Sequence, residues 1–359
     1  MGVREYREFY RRSIEDPEGF WSEQARLVDW RRTWDGVLDF SRPPFARWFP
    51  GGLTNLCHNA VDRHLEGRGG QRALVYVSTE TGEERHYTYR QLYAEVNAFA
   101  AALRELGVER GDRVVIYMPM MPEAIFAMLG CVRIGAIHSV VFGGFAADNL
   151  AKRIDDARPR VLVTADAGMR GGNVVRYKPL VDRALEMAQS PPERVVICNR
   201  GIDRKMRAVG GRDLDYADLR AGHEGEEVPV EWVDSTHPSY ILYTSGTTGT
   251  PKGVQRDTGG HAAALAASMR HIFATNPGET MFTASDIGWV VGHSYIVYGP
   301  LMYGLTSIVY EGLPVRPDPG IWWRIVQDHG VSTMFTSPTA IRALRKQDPD
   351  YMRRHDTSS

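Results

Sequence analysis

The chain has 359 residues, 43% of them apolar and 24% charged. That balance points to a globular, soluble protein of about two domains and excludes a disordered tail, a collagen-like repeat or a disulfide-dense miniature. With 43 Lys and Arg against 44 Asp and Glu the net charge is -1, so bulk electrostatics give no basis for a nucleic-acid or acidic-membrane partner.

The opening MGVREYREFYRRS lacks the apolar run of a secretory signal, and Tyr6 stands where a myristoylation pattern wants Ser or Thr. Residues 1–60 crowd Tyr6, Phe9, Tyr10, Phe20, Trp21, Trp30, Trp34, Phe45, Trp48 and Phe49 among Arg and Glu. The segment is too short to bury a core alone and reads as an extension laying aromatic side chains on the body formed by residues 61–359. Strand-like Ala73–Val77 comes next. Thr88 and Gln91 then form a capping box, with Leu92, Val96, Phe99, Leu103 and Leu106 on one helical face and Gly107 as the stop. Further apolar, β-branched runs follow at 113–118, 137–142, 160–164 and 194–198, with a helix opening near Pro122. Strands buried on both faces look like this, and helices between them imply parallel order, so the expected class is α/β with largely parallel sheets. Residues 200–228 are polar and Gly-rich and read as a surface excursion; strands resume at 239–244, 281–284, 307–310 and 333–336. Stretches of this length fall well short of the roughly 20 residues of a bilayer span. Cys57, Cys131 and Cys198 stand far apart without metal-ligand spacing, so each is expected to pack as a small buried hydrophobe in a reducing, cytoplasmic compartment.

The stretch richest in chemistry is Tyr243 to Gly253, YTSGTTGTPKG. Glycines let backbone N–H groups close on an anion, hydroxyls add donors, and Lys252 brings a mobile positive charge. This is equipment for a polyphosphate, although composition alone also admits an ordinary polar loop. It is not a P-loop, because Pro251-Lys252-Gly253 replaces the Gly-Lys-Ser/Thr ending.

These residues resemble the phosphate-binding signature of the adenylate-forming superfamily of acyl-CoA synthetases, luciferases and peptide-synthetase adenylation domains. Three more blocks are similar: SDIGWVVGHSY at 285–295, YEGLP at 310–314 and SPTAIR at 337–342. With the aromatic extension they resemble the short-chain branch, the acetyl- and propionyl-CoA synthetases. PKGVQRDTG at 251–259 and the Trp322-Trp323 pair look closest to propionate-activating members. The resemblance spans essentially all of the chain but little more than the first half of such an enzyme.

What it implies is a multi-layered adenylation domain and a two-step reaction. A carboxylate attacks the α-phosphate of ATP to give an acyl-adenylate and pyrophosphate; the thiol of CoA then displaces AMP. The substrates bring their own nucleophiles, so the protein mainly neutralises and aligns charge, with Mg2+ screening the phosphates. Thr244, Ser245, Gly246, Thr247, Thr248, Gly249 and Lys252 would hold the phosphates, Thr244 and Lys252 carrying the catalytic share. Trp289, Val290, Val291 and His293 would border the acyl pocket, with a helix expected to begin at Gly292. Trp289 as plain core, and His293 as a hydrogen-bonded core histidine, remain open beside those roles. CoA would meet Arg170, Gly171, Gly172 and Asn173, together with Val291, Val315 and Ser337; a solvated basic loop is the alternative for the first four. Asn173 departs from the family, which commonly has a second basic residue there, as Val291 and Val315 depart from the Thr and Asn of acetate enzymes. The family's aromatic-Thr-Glu motif, its ribose-binding Asp and its small C-terminal domain are not among these residues, so little turnover is expected of the chain alone. A non-catalytic nucleotide- or CoA-binding fragment, or an adenylation domain with another thiol acceptor, are the competing readings. Expected partners are small molecules: a short-chain carboxylate (propionate before acetate), ATP and CoA.

Overall fold

Residues 2–244 and 251–359 are described by the computed structural model of the chain. Two sheets form its body. In the larger, seven strands run in the order 213–215, 194–198, 161–165, 113–117, 137–140, 238–244 and 252–257, every pair parallel except the last. The second has five, in the order 331–336, 280–284, 306–311, 72–78 and 84–88, parallel except for the final pair. The central strands are those the β-branched apolar runs predict; Val161–Ala165 and Thr306–Glu311 are buried at every residue, as strands covered on both faces must be.

Local signals hold where the backbone decides. The Tyr89–Glu105 helix starts at the Thr88–Gln91 capping box, and Gly107 takes a φ of 75° after it, the left-handed conformation that ends helices with little strain in glycine. Pro122 opens the helix to Arg133.

Three expectations need correction. The 200–228 excursion contains the edge strand Asp213–Asp215 and the helix Tyr216–Gly222. This strand is fixed by charge more than by apolar pattern: the Asp213 carboxylate lies 3.0 Å from Lys178 Nζ and 2.6 Å from Arg212 Nε. Lys252 does not end in open loop but begins the strand Lys252–Asp257, whose exposed KGVQRD sequence carries no apolar alternation because it lies at a sheet edge. Finally, the helix expected from Gly292 begins at Val290, with Trp289 as its N-cap residue, and winds as a π-helix from His293 to Tyr298.

The N-terminal aromatic residues divide. Trp21, Trp30, Trp34 and Trp48 pack around Phe49 and Ala263, and Gly259 is required there because a Cβ would meet Trp30 at 2.8 Å and Ser235 Oγ at 2.0 Å. Tyr6, Tyr10 and Phe45, in contrast, stay exposed. All three cysteines are buried and free, and burial pushes the Cys57 thiol up to about 12. No helix among the described residues is long and apolar enough to cross a membrane.

His138 and Tyr240, on neighbouring strands of the larger sheet, are buried together with His261, His293 and Tyr298. His138 Nε2 lies 2.6 Å from Tyr298 Oη, and the His293 ring sits 4.6 Å from that of Tyr240 and 5.3 Å from that of His138. Burial lowers all three, His293 to about 4 and His261 to about 3. They are therefore neutral in the folded chain, whereas an unfolded histidine titrates near 6.5. Below that value the unfolded state binds more protons, and each group withdraws up to about 1.4 kcal/mol of stability per pH unit until its folded value is reached. The melting temperature is expected to fall steadily from about pH 6.5 to 4, which differential scanning calorimetry in buffers of matched ionic strength checks; a flat profile across that window would contradict the neutral cluster.

Candidate functional site

Parallel strands in both sheets point their carboxyl ends at one cleft of about 740 Å³, the usual binding place in open α/β sheets. Met118 and Phe142 enter it from just past the 113–117 and 137–140 strands, Ala284 and Glu311 from the ends of 280–284 and 306–311. The expected Ile137–Phe142 strand stops at Val140, which leaves Phe142 free to turn into this space.

Trp289, Val290 and Val291 line the cleft. Trp289 is 48% exposed, so burial does not hold it. Its backbone does: the Trp289 N–H donates to the Asp286 carbonyl at 3.1 Å, and its own carbonyl accepts from the His293 N–H at 3.1 Å. Asp286 Oδ1 accepts the Gly288 N–H at 2.7 Å. The glycines are demanded by close approach, since a Cβ on Gly292 would stand 2.0 Å from the Asp286 carbonyl oxygen and one on Gly288 2.8 Å from Phe142 Cα. The indole thus projects as a wall beside Phe142, ring centres 5.4 Å apart. His293 lies behind this wall, in the buried histidine cluster, and is not among the cleft-lining residues.

Arg170 also lines the cleft, its guanidinium 5.2 Å from the Phe142 ring centre. It ends the first strand of the antiparallel hairpin Ala167–Arg170 and Asn173–Arg176, whose tip is Gly171-Gly172. Asn173 is exposed and does not reach the cleft, nor does the half-buried Val315. Ser337 does reach it, while its Oγ caps the Pro338–Arg345 helix by accepting the Ala340 N–H at 3.3 Å. Ser245, Gly246, Thr247, Thr248 and Gly249 lie outside the described residues. Their flanks are placed: Thr244 and Lys252 face each other as register partners, both exposed, at the end of the strand pair next to the connecting residues. One residue back, Tyr243 Oη donates to Asp156 Oδ2 at 2.6 Å. The Arg153 guanidinium covers the rings of Tyr243 at 5.5 Å and Phe145 at 4.5 Å, and Phe145 meets Trp289 edge-on at 6.5 Å. A continuous row of rings and one cation therefore joins the root of the glycine-hydroxyl stretch to the cleft wall.

Three acidic residues of the cleft, Glu80, Asp286 and Glu311, escaped the sequence reading. Asp286, inside the SDIGW block, lines the cleft; burial pushes its carboxyl up to about 6 against the opposing pull of the Gly288 N–H and Arg170. Glu311, inside YEGLP, pairs with Arg200 through two hydrogen bonds of 2.8 Å and accepts from Tyr76 Oη at 2.6 Å. Burial alone would raise Glu311, but Arg200 and Tyr76 hold it below the ordinary carboxylate range. A lone charged residue at the end of an apolar strand was the available signal for Glu311. No group of three His, Cys, Asp or Glu side chains among the described residues is spaced to hold a metal ion.

Comparison with known proteins adds a family model described as AMP-binding enzyme, which matches residues 61–359, and one described as acetyl-coenzyme A synthetase N-terminus, which matches residues 6–60. A propionate–CoA ligase of Salmonella typhimurium is 59% identical over 354 residues, 99% of this chain and 56% of that protein. The protein of the same name from Escherichia coli gives the same figures. The human mitochondrial acyl-CoA synthetase short-chain family member 3 is 48% identical over 348 residues, 96% of this chain and 50% of its own length. The chain thus spans about half the length of the curated relatives it matches.

The tight Asp286–His293 turn makes its own prediction. Gly292→Ala should lower stability by about 3 kcal/mol, because backbone and not a flexible side chain blocks the new methyl. Gly210→Ala, with nothing within 4 Å of the added atom, should stay within about 0.5 kcal/mol. Urea unfolding of the two variants checks the difference.

Proposed function

The chain belongs to the AMP-binding enzyme family, and from that premise we propose that it serves ATP-dependent activation of a short-chain carboxylic acid, propionate before acetate, to an acyl-adenylate and then an acyl-CoA. The observation that carries this reading is the cleft lined by Trp289, Val290 and Val291 together with Arg170.

The acid's alkyl end packs against the indole and the two valines, where each methylene is worth about 1–3 kcal/mol. Asp286, ionised above about pH 6, repels a second carboxylate, so the acid's charged head turns away from it and toward the nucleotide. ATP's terminal phosphates lie along the glycine-hydroxyl stretch rooted at Thr244 and Lys252. Lys252 follows the charge as pyrophosphate departs, and Thr244 adds a hydroxyl donor. Bound CoA extends its nucleotide to the Arg170-Gly171-Gly172 hairpin, with Ser337 and Val291 toward the thiol end. Mg2+ accompanies the nucleotide and screens its phosphates. The three buried free thiols fit a reducing compartment, the cytoplasm being the proposed one.

ATP–pyrophosphate exchange by the protein that carries this chain, run with acids from formate to hexanoate, tests the proposal. Propionate should give the highest kcat/KM and acetate the next; exchange with none of the acids would overturn it. Lys252→Ala should reduce exchange about 100-fold, the scale of losing one preorganised charge-stabilising donor. Trp289→Ala should move the preference toward longer acids by about 10- to 200-fold per added methylene, with little change in stability given the exposure of that side chain.

A further inference from the structure

The hairpin tip at Gly171-Gly172 already holds an anion. The Gly171 N–H donates to Glu80 Oε1 at 2.6 Å and the Gly172 N–H to Glu80 Oε2 at 2.8 Å. Both glycines have positive φ, 61° and 83°, so successive amides converge in a concavity suited to negative charge. A side chain at Gly171 would be strained and would also meet Leu313 Cδ1 at 3.2 Å. Arg316 Nη1 donates to the Gly171 carbonyl at 2.8 Å and fixes the tip from its other side, so the amides keep their aim whatever sits in front of them.

Glu80 belongs to the turn between the Arg72–Ser78 and Glu84–Thr88 strands and lines the cleft mouth. Its neighbour Thr79 is anchored, its N–H on the Glu311 carbonyl at 3.0 Å and its Oγ1 3.0 Å from Tyr310 Oη. The turn is therefore fixed while the Glu80 side chain alone bridges to the hairpin.

We infer that Glu80 is an internal stand-in for a phosphate: it occupies the paired amides of Gly171 and Gly172 and must leave before a phosphate-monoester substrate engages the hairpin. The inference rests on the reading of this hairpin as the grip for the CoA nucleotide. A phosphate brings more charge than a carboxylate and three acceptor oxygens, and the neighbouring Arg170 and Arg316 favour the exchange. Until it arrives, Glu80 ties hairpin and turn together across the mouth of the cleft.

Adenosine 3′,5′-bisphosphate titrated calorimetrically into the 359-residue chain and its Glu80→Gln and Glu80→Ala variants provides the test. Removing an occupant that excludes the ligand most of the time raises apparent affinity by the reciprocal of the free fraction, so both variants should bind about tenfold more tightly. Gly171 and Gly172 amides should exchange faster in the variants and be protected again by the bisphosphate. In the unmodified chain, carbodiimide labelling of Glu80 should increase when the bisphosphate is saturating. Unchanged or weaker binding by the variants, or unchanged labelling of Glu80, overturns the stand-in and makes Glu80 a structural brace. Absence of binding in all three proteins overturns the phosphate reading of the hairpin itself, and the stand-in with it.

Discussion

The contact on which the cleft depends is the buried pair between Arg200 and Glu311. Arg200 follows the Arg194–Cys198 strand of the larger sheet, and Glu311 ends the Thr306–Glu311 strand of the smaller one. The two sheets are thus tied together where their carboxyl ends diverge. Both partners are largely removed from water, so neither charge is tolerable alone, and the hydroxyls of Tyr76 and Ser78, 2.6 Å and 2.8 Å from Glu311 Oε2, satisfy its remaining capacity. Breaking such a pair leaves an uncompensated charge and costs about 3–5 kcal/mol. A purely apolar joint could hold the sheets equally well, but it would not fix a carboxylate and a guanidinium at the edge of the cleft.

From this joint outward, the site is held by backbone more than by packing. Trp289 is set by the carbonyl of Asp286 and the N–H of His293, and the hairpin tip by Glu80 and Arg316. The row Tyr243, Arg153, Phe145 and Trp289 then links the glycine-hydroxyl root to the wall. Such a row gives a physical path by which a shift at Tyr243 reaches the cleft wall at Trp289. Each link is a ring face or edge, where contacts are worth about 0.5–1.5 kcal/mol apiece.

Much of this was legible in the sequence wherever one residue type has one physical use. Thr88 with Gln91 marks a helix start, and apolar β-branched runs mark central strands. Of the residues singled out in the SDIGWVVGHSY block, Trp289, Val290 and Val291 line the cleft and His293 does not. Edge elements were not legible: Lys252–Asp257 and Asp213–Asp215 pair through backbone and charge, which leave no hydrophobic period. His293 shows a second limit. It was expected beside Trp289 at the pocket, but it begins the π-helical stretch and is buried with His138 and Tyr240, while Trp289, just before the helix, stays exposed at the cleft. Glu80 could not have been found by spacing at all, because its partners are the amides of residues 91 and 92 positions away.

The exposure of Trp289 has an evolutionary side. A wall residue that contributes little to the interior can be exchanged for a smaller or larger one while the main chain behind it stays in register. Under the proposed acyl-pocket role of Trp289, lineages carrying this scaffold would drift between acids of different length through one codon, without first acquiring compensating changes in the core.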